Sequence, residues 1–253
     1  MNICLVSLAI GELYLKGYDT IFRPSHEAYA RRHGYDFRVV SEYLDEDLLH
    51  KDLISFQKAL VFSQAWSYDY DLIIFVDADI IINMNSPAIH TVCDTDRINM
   101  VNEFAQPTKE LRRDLQQRSG WETTATEYYK LSGFNIETDI APNTGVIVAS
   151  PKLHGTYLRN IYEIYKETAI NHKRGYIYEQ SAIGYCVVRD SKYAPLPNRW
   201  NGLWMVNKFI NPSLDLIEFA NATYFIHFAG YFDYEGAEKL SRSIHPASGP
   251  MPQ

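Results

Sequence analysis

The sequence predicts one α/β domain in which helices flank a Rossmann-like sheet. Strand-like and helix-like segments alternate through the first half. The 253 residues include 46% hydrophobic and 22% charged residues, a composition that supports a sizeable core and excludes disorder, collagen and coiled coil. Because no internal repeat or linker divides the chain, residues 1–246 form one predicted domain with halves 1–92 and 93–246, followed by a tail, 247–253.

The first half begins with a predicted strand over residues 3–8, and a loop that carries Gly11 and Gly17 follows. Residues 20–33 are predicted to be helical, because a glycine directly after the last turn is a usual stop signal. Residues 37–40 form the second predicted strand.

Two further segments lead to a pair of aspartates. Residues 51–66 contain good helix formers and neither proline nor glycine, so we expect a helix there. Residues 72–76 form a continuous apolar run that is typical of a buried parallel strand. That strand ends at Asp77-Ala78-Asp79.

The second half opens with a polar insertion, residues 103–142, which is predicted to be an elaborated loop or a helical lid. A strand over residues 145–149 and a helix that starts at Pro151 follow. A helix over residues 179–187 and a strand at the end of residues 221–228 complete the predicted elements.

Charge and cysteine content restrict the possible partners. The formal net charge is −7, and without a basic stripe we expect no nucleic-acid polymer as a partner. The three cysteines, Cys4, Cys93 and Cys186, have no C-x-x-C spacing, which argues against a disulfide scaffold or a structural zinc site. The first residues lack a basic leader and no apolar run approaches roughly 20 residues, so we expect a cytoplasmic protein without a transmembrane segment.

The aspartate pair is the strongest chemical signal. Asp77 and Asp79 are two residues apart at the end of a strand, so both carboxylates point to one face at the edge where open α/β sheets bind ligands. Two like charges beside an apolar sheet repel each other, and a divalent cation such as Mg²⁺ or Mn²⁺ would compensate them. The alternative interpretation is a turn or helix cap that uses two aspartates.

Several short motifs occur in an order that resembles one family. They are Val6-Ser7-Leu8 with Tyr14, residues 29–36, Lys58, residues 75–79, Asn143-Thr144-Gly145, Glu179-Gln180, residues 196–201, and His227 with Gly230. This series resembles the metal-dependent glycosyltransferases with the GT-A fold, most closely the glycogenin-like and the galactosyl/xylosyl transferase groups. The resemblance spans residues 1 to about 232, and only the insertion 103–142 is unmatched.

The resemblance implies a GT-A fold whose first half binds a nucleotide sugar, a UDP-sugar, and whose second half faces the acceptor. The residues implied for the nucleotide sugar are Ser7, Leu8, Tyr14, Lys58, Asp77, Ala78, Asn143, Thr144, Gly145 and Gly230. The residues implied for Mn²⁺ or Mg²⁺ are Asp77, Asp79 and His227, with Asp79 as the leading direct ligand.

Three of these residues also have ordinary interpretations. His227 follows a strand-like segment and could be a buried histidine that bonds a backbone carbonyl. Lys58 could be a solvated helix lysine. Glu179 could be a carboxylate that the helix dipole favours at an N-terminus.

One position departs from the glycogenin-like pattern. That pattern has a lysine three residues after the glycine of H-x-x-G, where it reaches the diphosphate, but this chain has Asp233. Lys208 or Lys239 is a candidate replacement.

The resemblance implies that Glu179 and Gln180 lie near the anomeric carbon. If the stereochemistry is inverted, Glu179 is the first candidate for the base that deprotonates the acceptor hydroxyl. If it is retained, as the closest resemblance implies, Gln180 or Glu179 would stabilise the cationic sugar.

The acceptor is expected to be a glycan, a lipid-linked sugar or a protein. Aromatic rings pack against the apolar face of sugars, and the candidate acceptor-binding residues are Trp121, Tyr128, Tyr129, Trp200, Asn201 and Trp204. Two other functions fit the sequence less well. One is an inactive module that binds nucleotide sugars or glycans, and the other is a phosphohydrolase with Asp77 as nucleophile.

Overall fold

A mixed β-sheet forms the centre of the protein. The computed structural model describes residues 1–47, 53–171, 178–229 and 233–244. The strands in these ranges are β1 (Ile3–Leu8), β2 (Asp36–Val40), β3 (Leu72–Val76), β4 (Ile80–Ile82), β5 (Ile98–Asn102), β6 (Pro142–Ala149), β7 (Tyr193–Leu196), β8 (Gly202–Leu203) and β9 (Phe225–His227).

The large sheet has the order β2-β1-β3-β6-β5-β7 among the described strands. β1 pairs in parallel with β2 and β3, and β5 pairs in parallel with β7. β6 runs in the opposite direction and lies between β3 and β5, pairing with both in antiparallel fashion. The carboxyl ends of β3 and β5 and the amino end of β6 therefore lie at one edge of the sheet.

A smaller sheet has the order β4-β9-β8. β4 is antiparallel to β9, with Ile80 opposite His227. Since Asp79 directly precedes β4, this register brings Asp79 to the end of β9, where the Phe228 N–H donates to the Asp79 carbonyl over 3.1 Å. The small sheet therefore fixes two segments that are far apart in sequence against each other.

Helices pack against both the large and the small sheet. They are α1 (Glu12–Ile21), α2 (Arg23–His33), α3 (Lys58–Val61), α4 (Lys109–Ser119), α5 (Ala125–Leu131), α6 (Pro151–Asn171), α7 (Tyr178–Arg189), α8 (Trp204–Ile210), α9 (Leu216–Ala222) and α10 (Tyr234–Ile244). Cys4 and Val6 of β1 pack in the same cluster as residues of α3, α6 and α7, whereas Ile3 and Leu5 pack with residues of α2. This alternation confirms the predicted α/β layers.

Two predictions in the first half are wrong. The loop predicted after β1 is helix α1, which starts after Gly11 at φ 95° and accommodates Gly17 in its interior. The helix predicted over residues 20–33 is interrupted at Phe22, and α2 starts anew with Pro24 in its first turn. Proline lacks the N–H that a continuous helix would need there, but it fits a first turn.

The helix predicted over residues 51–66 is also wrong in length. Residues 51 and 52 lie outside the described residues, and the remainder forms a 3-10 turn, Ile54–Gln57, followed by the single turn of α3. All of residues 56–62 are buried. Packing on every side overrides the helix propensity of the segment.

The second half largely follows the prediction. The insertion 103–142 contains α4 and α5, so the helical alternative is correct. The strand predicted over residues 145–149 starts earlier, at Pro142, and the helices at Pro151 and over residues 179–187 are present as α6 and α7. The tail, 247–253, lies outside the described residues. Within the described ranges, no helix combines the length and apolar character that crossing a membrane requires.

Candidate functional site

Three side chains converge at the carboxyl edge of β3. Asp77 follows β3, Asp79 precedes β4, and His227 is the last residue of β9. Their ligand atoms all lie within 4.8 Å of one another. His227 Nε2 is 3.2 Å from Asp79 Oδ1 and 4.0 Å from Asp77 Oδ2. The structure thus brings together the three residues that the sequence suggested as metal ligands.

This cluster favours a positive charge at its centre. Burial alone would raise the pKa of Asp79, but the charges of His227 and Lys58 outweigh burial and hold that pKa below its usual value. Burial alone would lower the pKa of His227, but Asp79 and Asp77 raise it. A proton on His227 or a bound cation can supply the charge that the two carboxylates require.

The donor atoms of the cluster fit a divalent cation. His227 Nδ1 lies 2.8 Å from Asn201 Oδ1 and donates to it, so the neutral imidazole presents the lone pair of Nε2 towards Asp79. Two carboxylates and one imidazole are ligands that divalent metals accept. The buried-histidine alternative is therefore too simple, because the Nδ1 partner is a side-chain amide and Nε2 faces carboxylates.

Gly145 makes room for the histidine ring. A Cβ atom at this position of β6 would lie 2.3 Å from His227 Cε1 and 2.6 Å from His227 Nδ1. The Gly145 carbonyl also accepts the Asp77 N–H over 2.8 Å. The backbone of Gly145 therefore fixes Asp77 through a hydrogen bond, and its missing side chain leaves space for the His227 ring.

Lys58 is buried and bound to Asp77. Its Nζ lies 2.7 Å from Asp77 Oδ1 and 2.9 Å from Oδ2, and 3.5 Å from both the carbonyl and Oγ1 of Thr144. Burial alone would lower the pKa of Lys58, but Asp77 and Glu179 raise it. The solvated-lysine interpretation is wrong, since Lys58 is only 4% exposed.

A chain of amide side chains leads away from His227. The Asn201 Nδ2 donates to Asn143 Oδ1 over 2.7 Å. The Asn143 Nδ2 donates to Gln180 Oε1 over 3.0 Å and to Glu103 Oε2 over 2.9 Å, and the Gln180 Nε2 donates to the same Glu103 oxygen over 2.9 Å. The orientation of each amide in this chain is therefore set by its neighbours.

Glu103 and Arg112 complete this network, and the sequence analysis did not identify either of them. The Arg112 Nη2 donates to Glu103 Oε1 over 2.6 Å. Burial alone would raise the pKa of Glu103, but Arg112, Asn143 and Gln180 lower it, so the carboxylate is ionised and acts only as an acceptor. The available signal was an acidic residue, Glu103, directly after a strand-like segment, as Asp77 directly follows β3.

Glu179 lies in the first turn of α7 and is 7% exposed. Burial raises its pKa, and Lys58 opposes that rise only in part. Gln180, also buried, is tied into the amide chain. The two residues predicted near the reacting carbon thus differ, since one is a carboxyl group with a raised pKa and the other is an oriented amide.

The residues predicted at the start of the nucleotide site have different environments. The Ser7 side chain is buried and donates to the Val76 carbonyl over 2.6 Å, and Leu8 and Ala78 pack in the core. Tyr14 is 42% exposed, and burial of its hydroxyl together with the charges of Asp79 and Asp77 raises its pKa. Gly230 lies outside the described residues.

The candidates for the missing phosphate-binding lysine are engaged elsewhere. Lys208 Nζ donates to the Leu214 carbonyl over 2.8 Å, and Lys239 forms an exposed ion pair with Glu235. Asp233 itself accepts the Gly236 N–H over 2.8 Å and so caps α10. Helix capping explains the acidic residue at this position.

Most of the aromatic residues that were predicted to bind the acceptor are buried in the core. Trp200 and Trp204 are 2% and 4% exposed, so neither ring has an open face, and their role in acceptor binding stays a prediction. Trp200 packs on Tyr224 and Phe225, and Trp204 packs on Phe219. Tyr128 and Tyr129 are buried as well, whereas Trp121 is 48% exposed.

Comparison with solved structures identifies the fold. The chain is similar to a glycosyltransferase involved in the glycosylation of the major capsid of PBCV-1, with a TM-score of 0.61 and 16% identity over 96% of this chain and 100% of that one. It is also similar to the galactosyltransferase LgtC, which was solved with donor and acceptor sugar analogues, with a TM-score of 0.55 and 11% identity over 98% of each chain. The chain has the GT-A fold.

A third GT-A neighbour is the bifunctional glycosyltransferase WbbM, with a TM-score of 0.58 and 15% identity over 96% of this chain and 50% of that chain. No protein-family model matches the chain, and no curated protein matches its sequence. The likeness at these identities defines the fold, and the chemistry has to be argued from the side chains at the edge of the GT-A sheet.

Proposed function

We propose that the protein transfers a sugar from a UDP-sugar to a hydroxyl group of a glycan, lipid-linked or protein acceptor, and that the reaction requires a divalent cation. The observation that carries this proposal is the cluster of Asp77, Asp79 and His227 at the carboxyl edge of the GT-A sheet. Open α/β sheets bind ligands at this edge, and two carboxylates there need a cation.

The cation has one chemical task. When bound, Mn²⁺ or Mg²⁺ stabilises the negative charge that develops on the leaving diphosphate. Asp79 and His227 would hold it, because their carboxylate and Nε2 face each other at 3.2 Å. Asp77 would contribute less directly, since Lys58 Nζ already bonds both of its oxygens.

The remaining donor contacts are proposed from the resemblance. Ser7 and Leu8 would hold the nucleoside through the backbone, since their side chains are buried. Tyr14 would contact the nucleoside, as the resemblance implies. Ala78, Asn143, Thr144, Gly145 and Gly230 are the other proposed donor contacts.

We propose retention of configuration, with Gln180 at the anomeric carbon. The Gln180 Nε2 is committed to Glu103, so its Oε1 is the atom that can face a cationic sugar, and one lone pair remains after the bond from Asn143. Glu179 would be the base in an inverting reaction. Retention is proposed from the resemblance alone, since the raised pKa of Glu179 suits a general base as well as a neutral carboxyl group.

Donor turnover tests the proposal. The full chain would be incubated with a panel of UDP-sugars and Mn²⁺, and UDP release and new glycosides would be measured by mass spectrometry. We expect UDP release that stops with EDTA and in Asp79→Ala, whereas Asp69→Ala, an exposed aspartate before β3, retains it.

Other results would replace the proposal. Release of phosphate from a phosphomonoester would indicate the phosphohydrolase. Binding of UDP-sugars without turnover would indicate the binding module, and unchanged UDP affinity in Asp79→Ala with Mn²⁺ would remove the metal assignment.

A further inference from the structure

A cleft of about 740 Å³ lies between α4 and α5, and Phe104 forms part of its wall. This volume is in the range of about 300–1,000 Å³ that is usual for small-molecule sites. The cleft belongs to the insertion 103–142, the part of the chain that the family resemblance leaves unmatched.

The cleft begins at the same sheet edge as the metal cluster. Phe104 directly follows Glu103 at the carboxyl end of β5, and β5 runs parallel to β3, which ends at Asp77. Glu103 in turn accepts the hydrogen bond from Gln180, the residue proposed at the anomeric carbon. Two neighbouring residues, Glu103 and Phe104, thus belong to the network at Gln180 and to the wall of the cleft.

The lining of the cleft is suited to hydroxyl groups. Among the described residues, four threonines and two glutamines line it, and Phe104 and Ala125 supply apolar surface. Two basic and four acidic side chains also line it, so its charge balance is negative. Such a lining disfavours a diphosphate and favours a neutral ligand with many hydroxyl groups.

Gln116 supplies a separate indication of a ligand. It lines the cleft and is only 2% exposed, and its Oε1 has no hydrogen-bond partner among the described residues. A buried amide oxygen without a partner destabilises the folded chain. A hydroxyl group of a ligand in the cleft would satisfy this oxygen once the Gln116 side chain rotates towards it.

We propose that this cleft binds the acceptor, and that the acceptor is a neutral glycan instead of a sugar linked to a lipid diphosphate. The inference rests on the proposed function and specifies the acceptor. Gln116 Oε1 accepts a hydrogen bond from an acceptor hydroxyl group, and the exposed Gln117 contributes to the rim. Trp121, between the lining residues Gln117 and Thr123 in the chain, is the exposed aromatic residue next to this rim.

The proposal is tested by comparing hydrolysis of the sugar donor with transfer of the sugar to an acceptor. The full chain would be given the UDP-sugar that it turns over, Mn²⁺, and either an array of neutral oligosaccharides or a lipid-diphosphate-linked sugar. Donor hydrolysis to water and transfer to each acceptor would be measured separately. We expect transfer to neutral oligosaccharides.

Gln116→Leu is the decisive variant. We expect the KM for the acceptor to rise about tenfold while donor hydrolysis is unchanged, because one hydrogen bond to the acceptor is lost. Its thermal stability should be unchanged or higher, since the unpartnered oxygen is removed. Gln64→Leu, a glutamine that donates to the Leu60 carbonyl outside the cleft, is the matched control and should leave the KM unchanged.

Gln117→Ala, at an exposed lining position, should raise the acceptor KM severalfold and covers the case in which Gln116→Leu fails to fold. An unchanged KM in a folded Gln116→Leu, transfer only to the lipid-diphosphate-linked sugar, or hydrolysis without transfer to any neutral glycan would overturn the inference. Absence of donor hydrolysis would instead overturn the proposed function, and the inference with it.

Discussion

Gly145 determines how closely the His227 ring approaches β6. In Gly145→Ala the new Cβ would meet the ring at 2.3 Å, so the ring has to move away from its present position. We expect Mn²⁺ affinity to fall about 10–100-fold, as is usual when the support of a ligand is disturbed. Titration calorimetry of the folded variant measures this, and an affinity equal to that of the unmodified chain would contradict the role assigned to Gly145.

Glu103 stabilises the fold as well as the site. Glu103→Gln would leave the buried Arg112 without a counter-charge, and breaking a buried ion pair costs about 3–5 kcal/mol. We expect a loss of that order in the free energy of unfolding at pH 7, measured by urea denaturation. Glu46→Gln, at an exposed position, is the control and should have a negligible effect.

The ion pair between Glu103 and Arg112 predicts that the free energy of unfolding depends on pH. The folded-state pKa of Glu103 lies below its ordinary value of 4.5, so its stabilising effect is complete above that pH and is lost as pH falls towards the folded-state pKa. The difference in stability between the unmodified chain and Glu103→Gln should therefore narrow below about pH 4.5. A difference that stays constant down to pH 3 would show that the ionised carboxylate is not its source.

The sequence could predict the candidate metal ligands, but not the residues that hold the site in place. Asp77 and Asp79 lie in the turn between β3 and β4, where the Ile80 N–H donates to the Asp77 carbonyl over 3.2 Å, and their local pattern suffices to find them although they are not part of a strand. Glu103 and Arg112 meet only because β5, β6 and α4 pack together, which no spacing in the sequence indicates. The burial of Trp200 likewise depends on Tyr224 and Phe225, which contact it only after folding.

At the scale of elements, continuous apolar runs predicted the strands better than composition predicted the helices. β1 and β3 follow the prediction because a buried strand needs little beyond an apolar run between breaks. The helix predicted over residues 51–66 is too long, because the space between the sheet and α6 limits the length of α3.

Gly155 marks the contact between α3 and α6. A Cβ atom at this position of α6 would lie 2.3 Å from the Phe62 carbonyl oxygen, a backbone atom that cannot rotate away. We expect Gly155→Ala to lower the free energy of unfolding by about 1–3 kcal/mol, as other overpacked substitutions do.

Gly17 provides the matched control for this contact. Its Cβ would lie 3.7 Å from the Tyr234 ring, an ordinary contact, so Gly17→Ala in α1 should raise stability by about 0.5–1 kcal/mol. Chemical denaturation of both variants gives the comparison. Destabilisation of similar size in both would mean that the close approach to Phe62 is unimportant.

For the whole molecule, the proposed cation site predicts a link between cation binding and folding. A ligand that binds only the folded chain stabilises it by about 2.7 kcal/mol at 100 times its dissociation constant. We therefore expect Mn²⁺ to raise the melting temperature by several degrees, with reversal by EDTA and no shift in Asp79→Ala. Calorimetric melting curves measure this, and an equal shift in Asp79→Ala would place the ion elsewhere.

The pairing of β4 with β9 has a consequence for synthesis of the chain. Asp77 and Asp79 are synthesised early, whereas His227 lies about 150 residues further along the chain. His227 reaches the two carboxylates only when β9 has paired with β4. A nascent chain that stops before residue 225 would carry the acidic pair and no histidine to complete the ion's coordination. Under the proposed function, binding of the cation would therefore follow translation of nearly all described residues, and truncated products should not turn over sugar donors.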